Sequence, residues 1–289
     1  MGKPCVISLP FGGLGNQMFI YAFCKALAER NGVELRVNTT SGFEHDPVYQ
    51  RRFMLHHLIP EFVRSGRRES RNFKGGRMFR SLERRVNRLL PLERRHVVEE
   101  VTSAFDAGMR DFKVTRPTVF TGLWHSYRYF ENLDMNEVFS FPDELVRPLA
   151  EEAEAIRSAN AVCLAVRRYE EVNRRGPRIL GEDYFAKAMA RIEEEVENPH
   201  YFVFAQNKDW VREHIHSRHP MTFAAERDTH EGAIQDLYLM TQCKRFIISN
   251  STLHWWAAWL GAGKEGKVIA PDKNCWAADA LPDSWIRMD

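Results

Sequence analysis

The stretch AVCLAVRR, residues 161–168, joins six apolar residues to two adjacent arginines. The apolar part is mostly small or β-branched, which is typical of a strand buried on both faces of a parallel sheet. Ligands of such sheets bind beyond the carboxyl ends of the strands, where Arg167 and Arg168 are expected to lie. Two guanidinium groups at that position suit a pair of phosphates. A structural ion pair with Glu170 or Glu171 is the alternative interpretation.

The chain on either side of this stretch alternates between strand-length and helix-length patterns. Such alternation predicts an α/β protein with parallel sheets and helices on their faces. At the amino end, a strand, a glycine turn and a helix stopped by Asn31-Gly32 form a first unit of this kind. The predicted strands are 5–9, 33–39, the start of 118–130, 161–166, 201–205, 245–249 and 267–271. The predicted helices of the second half are 182–196, 208–216, 231–243 and 252–260.

Two further elements are placed to meet a ligand. The stretch SNST, residues 249–252, ends a predicted strand and opens a helix, and hydroxyls with free N–H groups at a helix start bind phosphate oxygens well. Ordinary N-capping by Asn250 or Ser251 is the alternative. The turn GGLGNQ, residues 12–17, brings Asn16 and Gln17 to the start of the first helix, where they cap it or reach a ligand.

Composition bounds the class of protein. The chain has 289 residues, 44% of them hydrophobic and 28% charged, with a formal net charge of +2. These values predict a soluble globular protein with two domains. Pro142 and the acidic helix after it mark the boundary, so the predicted domains are 1–142 and 143–289. No membrane span or signal peptide is expected. Five well-separated cysteines indicate reduced thiols in a cytoplasmic protein, and the carboxylates and histidines form no convincing metal set.

Basic charge is concentrated in one segment, residues 64–96. From Arg64 to Arg95 it holds twelve Lys or Arg and three Glu. Scarce aromatic residues argue against nucleic acid as the partner, and we hypothesise docking to an anionic membrane, with a solvated insertion as the alternative. Apolar residues inside the segment have helical spacing, which predicts a basic amphipathic helix: Met78, Phe79, Leu82, Val86, Leu89 and Leu90.

Five blocks of the sequence resemble those of the bacterial α-1,2-fucosyltransferases, glycosyltransferase family 11. They occur in the family's order and cover most of the chain apart from the basic segment: GGLGNQMFIYAF, GLWHSYRYF, VRRYE, YFVFAQNKDWV and DLYLMTQCKRFIISNSTLHWWAAWL. The resemblance implies two Rossmann-like domains of GT-B type with a cleft between them. It also implies an inverting, metal-independent enzyme that uses GDP-fucose as a co-substrate and needs no cofactor.

The resemblance implies a role for individual residues. Residues 1–142 form the acceptor side and residues 143–289 the donor side. Arg167 and Arg168 meet the diphosphate and supply electrostatic stabilisation of the departing GDP. The expected catalytic residues are these two arginines and Glu170, the latter as a candidate base. The family usually reads His-x-Arg-Arg-Gly-Asp here, whereas this chain has Ala165 for the histidine and Glu170 for the aspartate. The implied donor set comprises Asn16, Gln17, Arg167, Arg168, Asp236 near guanine, Asn250, Ser251 and Thr252.

The expected reaction moves L-fucose from GDP-β-L-fucose to the 2-hydroxyl of a β-galactoside in a surface glycan or O-antigen-type acceptor. Glu170, Asp46 and His125 are the candidates for the base. Trp124, His125 and Tyr127 are the candidates for contact with the acceptor, with core packing as the alternative for Trp124. A different linkage or donor, and a non-catalytic nucleotide-sugar or glycan-binding relative, are the competing functions.

Overall fold

A computed structural model describes residues 2–44, 50–66, 85–168, 179–227, 229, 231–263, 265–272, 275–277 and 279–289. The chain divides into two compact units, Met1–Ser140 and Phe141–Asp289. The division lies two residues before the boundary expected from the sequence.

The first unit is built on a five-stranded parallel sheet with the strand order β3-β2-β1-β5-β4. The chain starts at the centre, fills one side and then returns to the other, so β1 and β5 flank the point where the order reverses. That point is the usual ligand position of an open α/β sheet. The strands are β1 (Cys5–Ser8), β2 (Glu34–Val37), β3 (Val63–Arg64), β4 (Val97–Glu99) and β5 (Pro117–Thr121).

The long helix of this unit covers the centre of its sheet. It begins after Gly13 and ends where Gly32 takes the left-handed conformation, with φ of 61°, so the predicted stop at Asn31-Gly32 is confirmed. Of the predicted basic helix, residues 85–89 are helical, Leu90 follows the end of the helix, and residues 78–84 lie outside the described residues. This long helix is α1 (Leu14–Asn31), and the helices that follow it in the described chain are short. They are α2 (Ala107–Arg110), α3 (Met135–Val138) and 3₁₀ turns at Leu55–His57, Leu92–Arg94 and Tyr127–Tyr129.

The second unit has a six-stranded parallel sheet with the strand order β8-β7-β6-β9-β10-β11. In chain order this is 3-2-1-4-5-6, the order of the Rossmann fold, and the order reverses between β6 and β9. All six residues of β6 are buried, as their composition predicted. The strands are β6 (Ala161–Val166), β7 (His200–Ala205), β8 (Met221–Phe223), β9 (Arg245–Ile248), β10 (Val268–Pro271) and β11 (Ile286–Met288).

Helices complete the second unit. The tryptophans of its last helix, Trp255, Trp256 and Trp259, are buried, so they belong to the core as predicted. No helix among the described residues has the length and hydropathy to cross a membrane. The helices are α4 (Asp143–Val146), α5 (Ala150–Ser158), α6 (Glu182–Glu193), α7 (Lys208–His214), α8 (Gly232–Thr241) and α9 (Thr252–Ala262), with a 3₁₀ turn at Arg147–Leu149.

Candidate active site

The arginine pair lies at the reversal point of the C-terminal sheet. β6 ends at Val166, so Arg167 and Arg168 follow the strand directly, as expected. Their neighbour across the reversal is β9, whose Ile248 pairs with Ala165. The stretch SNST follows β9, so two of the phosphate-suited elements come from adjacent strand ends. The sheet topology therefore brings together two features that are far apart in the sequence.

A buried hydrogen-bonded chain connects these two strand ends. The backbone N–H of Arg167 donates to the hydroxyl of Ser249 at 3.1 Å. The same hydroxyl lies 2.9 Å from Nδ1 of His254, which is on the first turn of α9. Ser249 is fully buried and His254 nearly so. Burial, and secondly the charge of Arg167, lower the pKa of His254 to about 3, so its imidazole is neutral near pH 7.

Arg168 is held by an aromatic ring. The carbon at the centre of its guanidinium lies 3.7 Å from the centre of the Trp210 indole ring. Trp210 belongs to α7, whose first turn is capped when the Trp210 N–H donates to the Asn207 side chain at 3.0 Å. Stacking leaves the edge of a guanidinium, which carries its N–H donors, to meet an anion. The sequence predicted the arginine but gave no signal for Trp210, which comes from a different strand-helix connection.

The amino end of α9 is the second phosphate-suited element. Ser251 occupies the N-cap position, yet within the described chain its hydroxyl makes no capping hydrogen bond to the first turn. Of the two residues considered for ordinary N-capping, Asn250 and Ser251, the structure therefore excludes Ser251. Asn250 and Ser251 are largely buried, and Thr252 is half-buried. The first turn of a helix of this length carries N–H groups that point along its axis towards an anion.

Asp236 is engaged in an ion pair. Its carboxylate accepts a hydrogen bond from Arg227 at 3.0 Å, and Arg227 also binds Glu152 at 2.6 Å. Burial raises the pKa of Asp236, and the positive charge of Arg227 opposes that rise. The predicted contact of Asp236 with guanine remains a prediction. Two other candidates, Glu170 and Asp46, lie outside the described residues.

The glycine turn of the N-terminal unit shapes the start of α1. Gly12 has φ of 73°, a backbone conformation that residues other than glycine rarely adopt. A Cβ atom on Gly13 would meet a guanidinium nitrogen of Arg51, the far end of a flexible side chain that can move aside, so the requirement for glycine is at Gly12. The turn thus has a structural reason to be glycine-rich, whatever ligand it meets.

Gln17 is removed from the predicted donor set. Its side chain is completely buried, and both ends are used by the protein backbone. The amide nitrogen donates to the carbonyl oxygens of Gly12 and Arg52, at 2.9 and 2.8 Å. The amide oxygen accepts from the N–H of Met54 at 2.9 Å. The prediction was wrong because a buried polar side chain must satisfy its hydrogen bonds, and here it fastens residues 52–54 to α1.

Asn16 and His125 meet at the reversal point of the N-terminal sheet. Asn16 lies on the first turn of α1, after β1, and His125 lies after β5. Nε2 of His125 is 3.3 Å from the side-chain oxygen of Asn16. The imidazole also packs against the Phe19 ring, with 4.9 Å between ring centres. Burial lowers the pKa of His125 to about 4, so the ring is neutral near pH 7.

The aromatic neighbours of His125 are part of the core. Trp124 is almost completely buried and stacks face to face on Phe23, with ring centres 4.0 Å apart. Tyr127 is also buried. The prediction that Trp124 and Tyr127 offer ring faces to an acceptor sugar is wrong for the structure described, since neither ring face is exposed. For Trp124 the alternative of core packing is confirmed.

Glu100, a residue that the sequence analysis missed, holds the loop that carries His125. It follows β4, and its carboxylate accepts hydrogen bonds from the N–H groups of Leu123 and Trp124, at 2.6 and 3.0 Å. Burial raises the pKa of Glu100, while these two hydrogen bonds oppose the rise. Trp124 has φ of 54°, so the carboxylate stabilises a backbone conformation that costs energy for a residue with a side chain. The available signal was a pair of acidic residues, Glu99 and Glu100, after two valines.

Among the described residues, no three or more His, Cys, Asp or Glu side chains lie together so that they could hold a metal ion. The polar groups of the candidate site are its arginines, hydroxyls, helix start and imidazoles. Independence from metal remains a prediction to be tested.

Sequence comparison relates the chain to glycosyltransferases. The profile described as "Glycosyl transferase family 11" matches residues 106–286. The chain is 28% identical to the α-1,2-colitosyltransferase of Escherichia coli over an alignment of 309 residues, which covers 98% of this chain and 99% of that protein. It is 30% identical over 140 residues to the O-antigen biosynthesis glycosyltransferase WbnK of Escherichia coli, which covers 45% of each chain.

Solved structures share the fold. A point mutant of Arabidopsis thaliana FUT1, in complex with GDP, matches with a TM-score of 0.56 and 14% identity over 93% of this chain and 70% of that one. The α-1,6-fucosyltransferase NodZ of Bradyrhizobium, soaked with GDP-fucose, matches with a TM-score of 0.54 and 14% identity over 90% of this chain and 93% of that one. These likenesses confirm the predicted pair of Rossmann-like domains of GT-B type.

Proposed function

The chain belongs to glycosyltransferase family 11, and we propose that it moves L-fucose from GDP-β-L-fucose to the 2-hydroxyl of a β-galactoside with inversion at the anomeric carbon. The family match covers more than half of the chain and supports glycosyl transfer as the reaction class. The donor, the linkage and the acceptor are the parts that we propose.

One observation carries the proposal. Arg167 and Arg168 share the reversal point of a Rossmann-type sheet with the amino end of α9. A nucleoside diphosphate carries two adjacent anionic groups, and this edge of the sheet offers two guanidinium groups and the positive end of a helix. The ring of Trp210 lies 3.7 Å from the guanidinium carbon of Arg168, and a contact of this kind restricts a group whose fork of N–H donors suits a phosphate.

The proposed chemistry is a single displacement. The acceptor oxygen forms a bond to the anomeric carbon while the bond from that carbon to the GDP oxygen breaks. The electron pair of the broken bond stays with GDP, which gains negative charge as the sugar gains oxocarbenium character. Arg167 and Arg168 stabilise that growing charge, and removing one such electrostatic donor typically costs about 2.7–4 kcal/mol of transition-state stabilisation.

We assign His125 to the acceptor side. If Nε2–H donates to the oxygen of Asn16, Nδ1 has a lone pair for the acceptor hydroxyl. A group with a pKa of about 4 is a weak base, so His125 is better suited to orienting that hydroxyl than to removing its proton. Glu170 and Asp46 stay as the other candidates for the base.

A second donor is favoured by one specific likeness. The E. coli relative that aligns over nearly the whole chain is named as a colitosyltransferase, and colitose is L-fucose without its 3-hydroxyl group. A site that hydrogen-bonds a substrate hydroxyl discriminates strongly against the analogue that lacks it, whereas an apolar site discriminates little. The preference for GDP-fucose or GDP-colitose therefore shows whether the protein hydrogen-bonds the 3-hydroxyl group of the sugar.

The test is transfer by the purified protein. GDP release is measured with GDP-fucose and with GDP-colitose, in the presence and absence of β-galactosides, and the product linkage is read by NMR. We expect acceptor-dependent GDP release and an α-1,2 linkage. Binding of GDP-fucose without release would indicate the non-catalytic alternative, and release with another linkage would overturn the proposed regiochemistry.

The basic segment is proposed to bring the enzyme to an anionic membrane surface on the cytoplasmic side, where a lipid-linked acceptor is presented. Its described part supports contact with lipid, because Leu89 is 85% exposed and Val86 is 52% exposed beside Arg85 and Arg88. The positive charge of Arg88 is partly compensated by Glu99, with which it forms an ion pair at 2.8 Å. Apolar residues between basic ones are typical of helices that lie at a membrane surface.

A further inference from the structure

Ser249 extends the pairing of two strands beyond the end of their ladder. β6 and β9 pair up to Ala165 and Ile248, and the N–H of Ser249 donates to the carbonyl of Ala165 at 3.1 Å. The next available N–H on the β6 side is that of Arg167, and the Ser249 hydroxyl accepts it at 3.1 Å. The main chain of the first arginine is thus fastened by a side chain after the ladder itself has ended.

His254 connects the same hydroxyl to α9. A backbone N–H can only donate, so the Ser249 oxygen is the acceptor towards Arg167 and has its own hydrogen for Nδ1 of His254. We assign the imidazole accordingly as neutral, with its proton on Nε2. Its low pKa keeps the imidazole neutral near pH 7, so Nδ1 stays a hydrogen-bond acceptor there.

The two elements joined in this way are the two halves of the candidate diphosphate site. One half is the arginine pair after β6, and the other is the amino end of α9 with Ser251 and Thr252. Recognition of two phosphates at once requires a fixed spacing between these halves, because displacements of about half an ångström already weaken a binding constellation. A hydrogen-bonded chain that is buried resists such displacement more than a solvated one.

We propose that Ser249 and His254 are positioning residues that set the main chain of Arg167 against the first turn of α9, and so set the spacing of the diphosphate site. The inference rests on the proposed use of a GDP-linked donor. In this role Ser249 and His254 do not touch the substrate; they act through Arg167.

The test compares two ligands on two kinds of variant. His254→Leu removes the acceptor nitrogen, while His254→Asn keeps an acceptor oxygen close to the position of Nδ1. His200→Leu is the matched control, because His200 also binds a hydroxyl, that of Thr222 at 2.8 Å, but lies at the opposite end of its strand from the carboxyl edge. Kd is measured for GDP by calorimetry and for guanosine, which lacks phosphates, by ligand-observed NMR.

We expect His254→Leu to weaken GDP binding by at least about tenfold, with guanosine binding changed by less than about twofold, in line with the loss of one positioning contact. His254→Asn should recover most of the GDP affinity, and His200→Leu should match the wild type. If His254→Leu does not fold, Ser249→Ala is measured with the same expectation.

Two results overturn the inference while leaving the proposed function in place. One is a folded His254→Leu or Ser249→Ala variant that binds GDP like the wild type. The other is an equal loss of GDP and guanosine binding, which would indicate a general structural role. A wild-type protein that does not bind GDP would instead overturn the proposed function, and the inference with it.

Discussion

Arg168 lies over the ring of Trp210, with 3.7 Å between the guanidinium carbon and the centre of the indole ring. The two residues come from different strand-helix connections, β6 to α6 and β7 to α7. The position of the Arg168 guanidinium at the candidate donor site therefore depends on a side chain of α7.

Replacing Trp210 with Leu should lower kcat/KM for the donor by about 2–30-fold, because a cation–π contact contributes about 0.5–2 kcal/mol. Trp210→Phe keeps a ring beneath the guanidinium and should lose less. Steady-state kinetics with varied GDP-fucose checks both variants. Equal losses in the two variants would show that the ring face is not what matters.

Metal removal should leave the activity intact. The described residues offer no cluster of metal ligands, and the arginines can supply the charge that a divalent ion would otherwise provide. The rate of GDP release is compared in excess EDTA and in added Mn²⁺, and the two rates should agree. Loss of activity in EDTA that Mn²⁺ restores would contradict a metal-independent mechanism.

Acid should destabilise the protein partly through His125. Its pKa is lowered by burial from the ordinary 6.5 to about 4, so between these values the unfolded chain binds a proton that the folded chain does not. The free energy of unfolding contributed by this residue therefore falls as the pH drops from about 6.5 to about 4.

Urea unfolding of the wild type and of His125→Gln at several pH values measures this contribution. We expect the stability of the wild type, relative to the variant, to decrease steadily with decreasing pH across that window. A difference between the two proteins that does not change with pH would contradict the neutral, buried imidazole.

The strands that the sequence predicted are the central ones, and the structural reason is their length and burial. β6 has six buried apolar residues and was predicted with its correct ends. The four strands that were missed, β3, β4, β8 and β11, are the four outer strands of the two sheets and have only two or three residues each. So few residues cannot display a periodic pattern, and their pairing is decided by neighbours that are distant in sequence.

The site shows the same limit. Arg167, Arg168 and the stretch 249–252 were placed at strand ends because a strand end is visible in a local pattern. The contact of Trp210 with Arg168, and the chain from Arg167 to His254, depend on which strands are neighbours in the sheet. Local position alone was misleading for Gln17, whose turn context could not reveal that residues 52–54 use its side chain.

Changing Arg80, Arg84, Arg85 and Arg88 together to Gln should weaken binding to anionic vesicles. Each basic residue near such a surface contributes about 1 kcal/mol, so the loss should be large and the remaining binding sensitive to salt. Co-sedimentation with anionic and neutral liposomes at low and high salt measures it. The matched control removes the same charge from exposed or half-buried positions of the C-terminal unit, by changing Arg157, Arg191, Arg212 and Arg218 to Gln.

The wild type and the control should sediment with anionic vesicles at low salt and not with neutral ones. An equal loss of sedimentation in the variant and in the control would assign the attraction to overall charge. Equal sedimentation of all three proteins, or absence of wild-type binding, would remove the proposed role of the basic segment.

The most direct test of the diphosphate site is transfer by Arg167→Ala and Arg168→Ala. Arg212→Ala is the control, because Arg212 also lies over an aromatic ring, that of Phe223 at 4.7 Å, but is placed on the exposed face of α7. We predict that kcat/KM for GDP-fucose falls by at least about 100-fold in each of the first two variants and stays within about twofold in the control. Folded Arg167→Ala and Arg168→Ala proteins that both transfer at the wild-type rate would contradict the account.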